Sequence, residues 1–526
     1  MIGRRAFLRA ALGAALAACR PAARPTPAPT SARPSATLPP TATPTATPTP
    51  APTSAQPDWA ALGRDVKGGV IRPGDAPYDR ARVLDNTRFD DARPQGIARC
   101  ASADDVRAAV AFAQRYKLPL AVRSGGHSYG GWSTGPGLVI DTGPLNGVNV
   151  RSGDVVVGAG ARLVDVYAAL AAAGVGIAAG SCPTVGIAGL TLGGGVGVLS
   201  RGWGLTCDSL ASADIITADG RLLTCDERRE PELFWALRGA GAGSFGVVTS
   251  LVLRTRPISS LALAFLQFTW SRAPDVIRAW QSWLAAAPET LWSNLHLEGV
   301  PGTTPAIRIH ATFLGDVKDL DAQVDTLLSV AGAPTDRSST NVSYAAAMLL
   351  EAGCFGKTLA QCHLKGQTPE AQLDRETYAA KSLVLPAALG PGGIAALTSG
   401  MDTLQRSQGA GSGAVIVDAL GGAVSRVAPD ATAFPHRGAF AVAQFIASWD
   451  PAAPQATADA NLAWLRLAHS SVRGAAGGGA YANYADPELS DWPQAYYGAN
   501  YARLQRVKAM YDPGEVFTFP QAIRAR

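Results

Sequence analysis

A chain of 526 residues is too long for one small core and calls for two or more domains. Charged residues make up 17% and hydrophobic ones 47%, an ordinary soluble composition. The formal charge of +5 carries no basic run, so nucleic acid is not indicated as a partner. The seven cysteines include no CxxC pair, and the six histidines form no cluster, so no metal site is expected.

Residues 1–19 read as a targeting segment: Arg4 and Arg5 precede Phe7-Leu8 and an alanine- and leucine-rich stretch too short to span a bilayer. The twin arginine predicts export in the folded state. Leu16-Ala17-Ala18-Cys19 resembles a bacterial lipobox, with Cys19 lipidated as the new N-terminus; ordinary cleavage after small residues is the alternative. The expected location is therefore extracytoplasmic, with membrane contact only through a lipid anchor. Residues 20–57, a Pro/Thr/Ala tract, predict an extended tether of up to about 100 Å at ~3.1 Å per residue.

Residues 58–255 form a first expected unit. Val106–Tyr116 has helical spacing and leads into a short strand, Leu118–Val122. That strand runs into Arg123-Ser124-Gly125-Gly126-His127-Ser128, a glycine turn with a cation and hydroxyls that suits an anionic cofactor. Gly137–Asp141 and Val155–Val157 read as strands, and Leu163–Ala173 as an amphipathic helix stopped at Gly174. A second cradle follows, GSCPTVGIAGLTLGGGVGVLSRGWGLTCD from Gly180 to Asp208. Gly189, Gly193, Gly194 and Gly195 remove side chains where the backbone must approach another body closely. Ala213–Thr217 and Arg221–Thr224 flank Ala218-Asp219-Gly220, a hairpin signal. A third glycine segment, Arg238 to Thr249, contains Ser244 and Val248. Neither GxGxxG leading into a helix nor GxxxxGK[ST] is present, so the ordinary dinucleotide and P-loop patterns fail.

From 256 to 478 the cradles stop. Leu261–Trp270 and Ala306–Phe313 read as strands, and Asp275–Ala286, Asp319–Val330 and Gln455–His469 as helices. Ala414–Asp418 is an apolar strand ending in an acid, which by itself fits a solvated terminus as well as a functional group. Residues 479–526 contain Tyr481-Ala482-Asn483-Tyr484 and Tyr497-Gly498-Ala499-Asn500; spacing alone allows the aromatics to be core. Cys354 and Cys362 share one loop, and export would permit them to bridge.

RSGGHS, then GSCPTVGIAGLTLGGG with RGWGLTCD, and the closing YANYADPELSDWPQAYYGAN resemble the berberine bridge enzyme-like FAD-linked oxidases of the vanillyl-alcohol oxidase superfamily. The resemblance runs from about Gly68 to Ile523. It implies an α+β fold: a two-part FAD-binding domain and an antiparallel-sheet substrate domain with helices, to which residues 479–526 return. It implies FAD bonded twice, through His127 and Cys182; the bare residues fit equally a hydrogen-bonding or metal histidine and a buried apolar cysteine. Arg123, Ser124, Gly125, Gly126, Ser128, Val185, Gly186, Gly189, Gly193, Gly194, Gly195, Val248, Tyr497 and Asn500 are the remaining expected cofactor contacts. Ser244 and Leu190 depart from the family's common Asn and His.

Tyr484 is implied as the base for a substrate hydroxyl, with Asp418 assisting and Tyr481 beside it. A phenol near ~10 would need a cation or hydrogen bonding to ionise. Val185 matches the oxygen-gating position and implies an oxidase. The expected reaction is oxidation of a CH–OH, of a sugar or oligosaccharide, with O₂ returned as H₂O₂ by a monomeric protein. Trp270, Trp292 and Trp449 are candidate sugar platforms. The alternatives are oxidation of an amine, alkaloid or polyketide alcohol, and a non-catalytic lipid-anchored binding protein.

Overall fold

The computed structural model describes residues 56–526 apart from 242 and 410. The expected export segment, lipobox and nearly all of the tether lie outside the described residues.

A small sheet comes first, with strands in the order Val70–Ile71, Gly96–Arg99, Leu138–Asp141, Leu120–Arg123. Its last three strands are parallel. Ile97, Ala98, Leu138, Val139 and Ile140 are all buried, the unbroken apolar pattern of strands covered on both faces. Helix Ala103–Arg115 supplies part of that cover. It starts where Ser102 accepts from Asp105 N, with Asp104 and Asp105 in the first turn, where the helix dipole favours negative charge.

The second sheet is antiparallel, in the order Val148–Val150, Asp154–Gly158, Val247–Arg254, Leu210–Ile216, Leu222–Cys225. Leu210–Ile216 and Leu222–Cys225 pair through the expected hairpin, where Gly220 takes φ +77°. Between these strands the Gly180–Asp208 stretch winds into two short helices, Ile187–Leu192 and Ser200–Trp203.

The third sheet has seven antiparallel strands: Asp336–Ser343, Ser260–Phe268, Ala306–Phe313, Leu291–Gly299, Ser412–Ala419, Ala441–Ser448 and Tyr378–Leu385. Helices Ala273–Ala286, Val317–Ala331, Pro391–Arg406 and Gln455–Ala476 pack against it. Alternation along Leu291–Gly299 shows which face is which. Leu291, Leu295 and Leu297 are fully buried, and Ser293 accepts from Trp280 Nε1 of a covering helix. Trp292, Asn294, His296 and Glu298 point the other way, into a cavity.

Helix Tyr501–Tyr511 returns the chain to the first unit, packing on helix Pro231–Ala236 with Arg503 paired to Glu232. Lys508, fully buried, donates to Asp512 and to the carbonyls of Ser244 and Phe517. Ser244 thus serves backbone closure of the C-terminus. Cys354 and Cys362 form a disulfide.

Candidate active site

A cavity of about 750 Å³ lies between the glycine loops of the first unit and the open face of the seven-stranded sheet. Its wall joins His127, Cys182, Asp418 and Tyr484, residues spread over more than three hundred positions of sequence.

The two cradles touch. A Cβ on Gly125 would lie 2.1 Å from Gly186 N, so only glycine allows these loops to meet. His127 therefore stands beside the second loop: its Nε2 is 2.7 Å from Thr184 Oγ1, and its Nδ1 is 3.4 Å from Asp85 Oδ2. Burial, reinforced by the Arg162 charge, pushes the imidazole down to about 3 and leaves it neutral. Burial likewise holds Asp85 up, at about 6. Cys182 opens into the cavity but is ringed by protein, and burial with the charges of Asp85, Glu376 and Asp418 pushes its thiol up to about 12.

These residues fit FAD. Gly189 faces the cavity, and a Cβ added there would meet no protein atom within 4 Å, an opening a flat ring system can occupy. Ser124, Gly125, Gly126, Ser128, Val185, Gly186 and Val248 line the same space, and Tyr497 lines it with its hydroxyl donated to Ala240 O. Cavity volume falls within the range of cofactor-sized sites.

Other expected contacts stand elsewhere. Arg123 turns away from the cavity to Asp141, 3.1 Å off, because strand alternation sends its side chain to the opposite face from the loop it introduces. Gly193, Gly194 and Gly195 do not line the cavity; they receive the C-terminal segment. A Cβ on Gly193 would fall 1.9 Å from Asn483 Oδ1, and the amides of Gly195 and Val196 donate to Tyr481 Oη. Asn500 donates to the carbonyls of Pro429 and Thr432, fastening a loop outside the cavity.

Tyr481 lines the cavity beside Tyr484. Its oxygen accepts from Gly195 N, Val196 N and Asn483 Nδ2, and so braces the second cradle. Tyr484 is freer. Its ring stacks on Tyr129 (centroids 5.5 Å apart, 10° between planes) and meets Tyr481 edge-on at 5.0 Å. Burial first, then the Asp418 charge, hold the phenol well above its ordinary value, the opposite of what a cation or hydrogen bonding to a phenolate would do. Asp418 lies within its strand, one residue before the end, opposite Asn294, whose Nδ2 donates to Oδ1 at 3.2 Å. Burial raises that carboxyl too.

Of the three tryptophans, only Trp292 lines the cavity; Trp270 donates to Asp402 and Trp449 sits under Arg88. Asp85, Thr184, Tyr129, Asn294 and Gln444 were not foreseen. Gln444 donates to Tyr129 Oη at 2.6 Å and so fixes the ring on which Tyr484 stacks. Tyr129 had a signal in sequence, two residues after His127; Asn294 and Gln444 are placed by strand register, and Asp85 and Thr184 by loops.

Two family models match: an FAD binding domain over residues 94–226, and berberine and berberine like over residues 480–524. The uncharacterized FAD-linked oxidoreductase YgaK of Bacillus subtilis is 32% identical over 87% of this chain and 97% of its own length. The chain belongs to the berberine bridge enzyme-like FAD-linked oxidoreductases. A xylooligosaccharide oxidase of Thermothelomyces thermophilus is 29% identical over 82% of this chain and 87% of that one. The solved structure of Physcomitrella patens BBE-like 1 superimposes with a TM-score of 0.81 at 29% identity, covering 89% of this chain and 99% of that one. In this oxidoreductase the two matched segments are the parts that meet at Gly193–Val196 and Tyr481–Asn483.

Proposed function

We propose that this FAD-linked oxidoreductase is an oxidase of a sugar or oligosaccharide CH–OH, that FAD is held by bonds to both His127 and Cys182, and that O₂ takes the electrons as H₂O₂. The observation that carries the reading is the convergence of His127 and Cys182 with Tyr484 and Asp418 on one cavity. Bound FAD supplies the two-electron acceptor. A neutral imidazole at His127 keeps a lone pair available for attachment, and Thr184 and Asp85 orient the ring.

Tyr484 accepts the hydroxyl proton of the substrate as its own phenolic proton passes toward Asp418. The relay avoids a free phenolate, which burial and the Asp418 charge disfavour. Asn294 holds the receiving carboxyl in place. The Tyr129–Tyr484 stack offers an aromatic edge to a sugar ring. Similarity to a xylooligosaccharide oxidase supports a carbohydrate substrate. Val185 lines the cavity as a small side chain, consistent with access of O₂. The twin arginine and Leu16-Ala17-Ala18-Cys19 support a protein exported and tethered outside the cytoplasm.

Purified protein is to be screened with reducing mono- and oligosaccharides, secondary alcohols and amines for H₂O₂ release. Peroxide with sugars, lost in Tyr484→Phe, is the expected result. Peroxide only with non-carbohydrate amines or alcohols would overturn the sugar assignment.

A further inference from the structure

Among the described residues lining the cavity, six carry carboxyl groups (Asp85, Glu298, Asp336, Glu351, Glu376, Asp418) and one carries a guanidinium, Arg308. Arg308 is already engaged by Glu298. Asp85 and Glu376 are neighbours beside the first glycine loop, where Glu376 N donates to Asp85 O and Asp85 N to Gly126 O. Glu351 and Asp418 are different, because both sit on the substrate wall.

Glu351 closes helix Tyr344–Glu351, and its side chain is 9% exposed. Its Oε1 lies 3.1 Å from His310 Nε2 but lacks hydrogen-bond geometry and has no hydrogen-bond partner. His310 stands opposite Asn294 in register, and Asn294 stands opposite Asp418. Glu351 therefore caps one end of a cross-strand row whose other end is Asp418. In the middle, Asn294 Oδ1 is a second buried acceptor with no partner. Within this row Asn294 Nδ2 is committed to Asp418, and the Thr312 hydroxyl stands between His310 Nε2, 3.5 Å away, and Glu351. What the row leaves open are two acceptor oxygens, Glu351 Oε1 and Asn294 Oδ1. Buried acceptors left unmatched are costly, so the ligand must bring N–H or O–H groups.

Charge narrows the class. Burial and the Asp418 charge push Glu351 up to about 8, and burial pushes His310 down to about 3, so their contact at neutral pH is between uncharged groups. Two carboxyls that cannot both ionise alone can do so around a cation.

We propose that Glu351, together with Asp418, anchors a protonated amine on the substrate, making amine-bearing sugars the preferred class and uronic acids the rejected one. The proposal rests on the cavity being a sugar-oxidising site, but the anchor can be tested apart from it. Flavin-loaded protein is mixed rapidly without O₂ with D-glucosamine, D-glucose and D-glucuronate, and affinity is read from how the rate of flavin bleaching saturates with sugar, or from the spectral shift of the oxidised flavin where no bleaching occurs. Wild-type protein should bind glucosamine about tenfold more tightly than glucose, and glucuronate not at all. That ratio should fall to about one in Glu351→Gln and be partly kept in Glu351→Asp, with flavin content and melting temperature used to check folding. An unchanged ratio in Glu351→Gln, or no amine preference in wild-type protein, overturns the anchor. If amine binding follows Glu351 while no sugar reduces the flavin, the anchor stands and the sugar-oxidase reading falls. If sugars are oxidised with no amine preference, the reverse holds.

Discussion

Tyr484 keeps its proton at neutral pH because burial and Asp418 both oppose the phenolate. Removing only its hydroxyl, in Tyr484→Phe, should lower kcat by about 10²–10⁴, the usual worth of a positioned acid–base group, while flavin content stays unchanged. Stopped-flow reduction of the flavin measures this directly. Asp418 must be ionised to receive the proton, and burial raises its pKa above the ordinary carboxylate value. Activity should therefore fall as pH drops through that raised pKa, at a higher pH than an exposed aspartate would give, and Asp418→Asn should remove the limb along with most of the rate. A pH–rate profile that keeps the same acid limb in Asp418→Asn would assign it to another group. The difference between Tyr481 and Tyr484 could not be read from YANYAD itself, since both are tyrosines on one short irregular segment. Only the folded chain shows that one phenol is spent on the amides of Gly195 and Val196.

The segment carrying Tyr484 is held by elements far from it. Lys381, in strand Tyr378–Leu385, donates to both oxygens of Asp486, and each side chain is under a tenth exposed. Lys381→Met leaves Asp486 charged and unpaired, with an expected loss of about 3–5 kcal/mol, measurable by denaturant unfolding. Gly193 and Gly189 of the second cradle should separate by function. Gly193→Ala drives a methyl into Asn483, which anchors both Leu190 O and Tyr481, and should cost about 1–3 kcal/mol in the same assay. Gly189→Val meets open cavity, so the protein should fold but take up less flavin, read as the ratio of flavin to protein absorbance. Strands and helices with clear periodicity were legible, such as Ala306–Phe313 and Gln455–Ala476, although the latter runs a further two turns past His469. Tyr378–Leu385 carried no alternation because every residue is buried, and Asp336–Ser343 is polar but for Val342 because it is a sheet edge.

At the scale of the whole molecule, the loop from Gly353 to Glu376 bridges the two halves: Gly353, Phe355 and Glu376 line the cavity, and the Cys354–Cys362 disulfide packs on Val164 of the first unit. Reducing it, or replacing both cysteines with serine, should lower the melting temperature and raise KM more than it lowers kcat, because the loop walls the substrate space. His127, Cys182, Tyr484 and Asp418 came from the family resemblance, since the bare residues fit plainer roles as well; the fold brings all four to one cavity. Asp85, Asn294, Gln444 and Glu351 were not legible, because they are brought to the cavity by a loop, by strand register or by a distant helix end. Attachment of FAD by two side chains of one cavity is tested most directly by denaturation. Protein from residue 58 onward is denatured in acid and precipitated, and the absorbance of pellet and supernatant is compared. Yellow colour that stays with the pellet, and leaves it only when both His127 and Cys182 are replaced, is the predicted result; flavin released into the supernatant from the unsubstituted protein would contradict it.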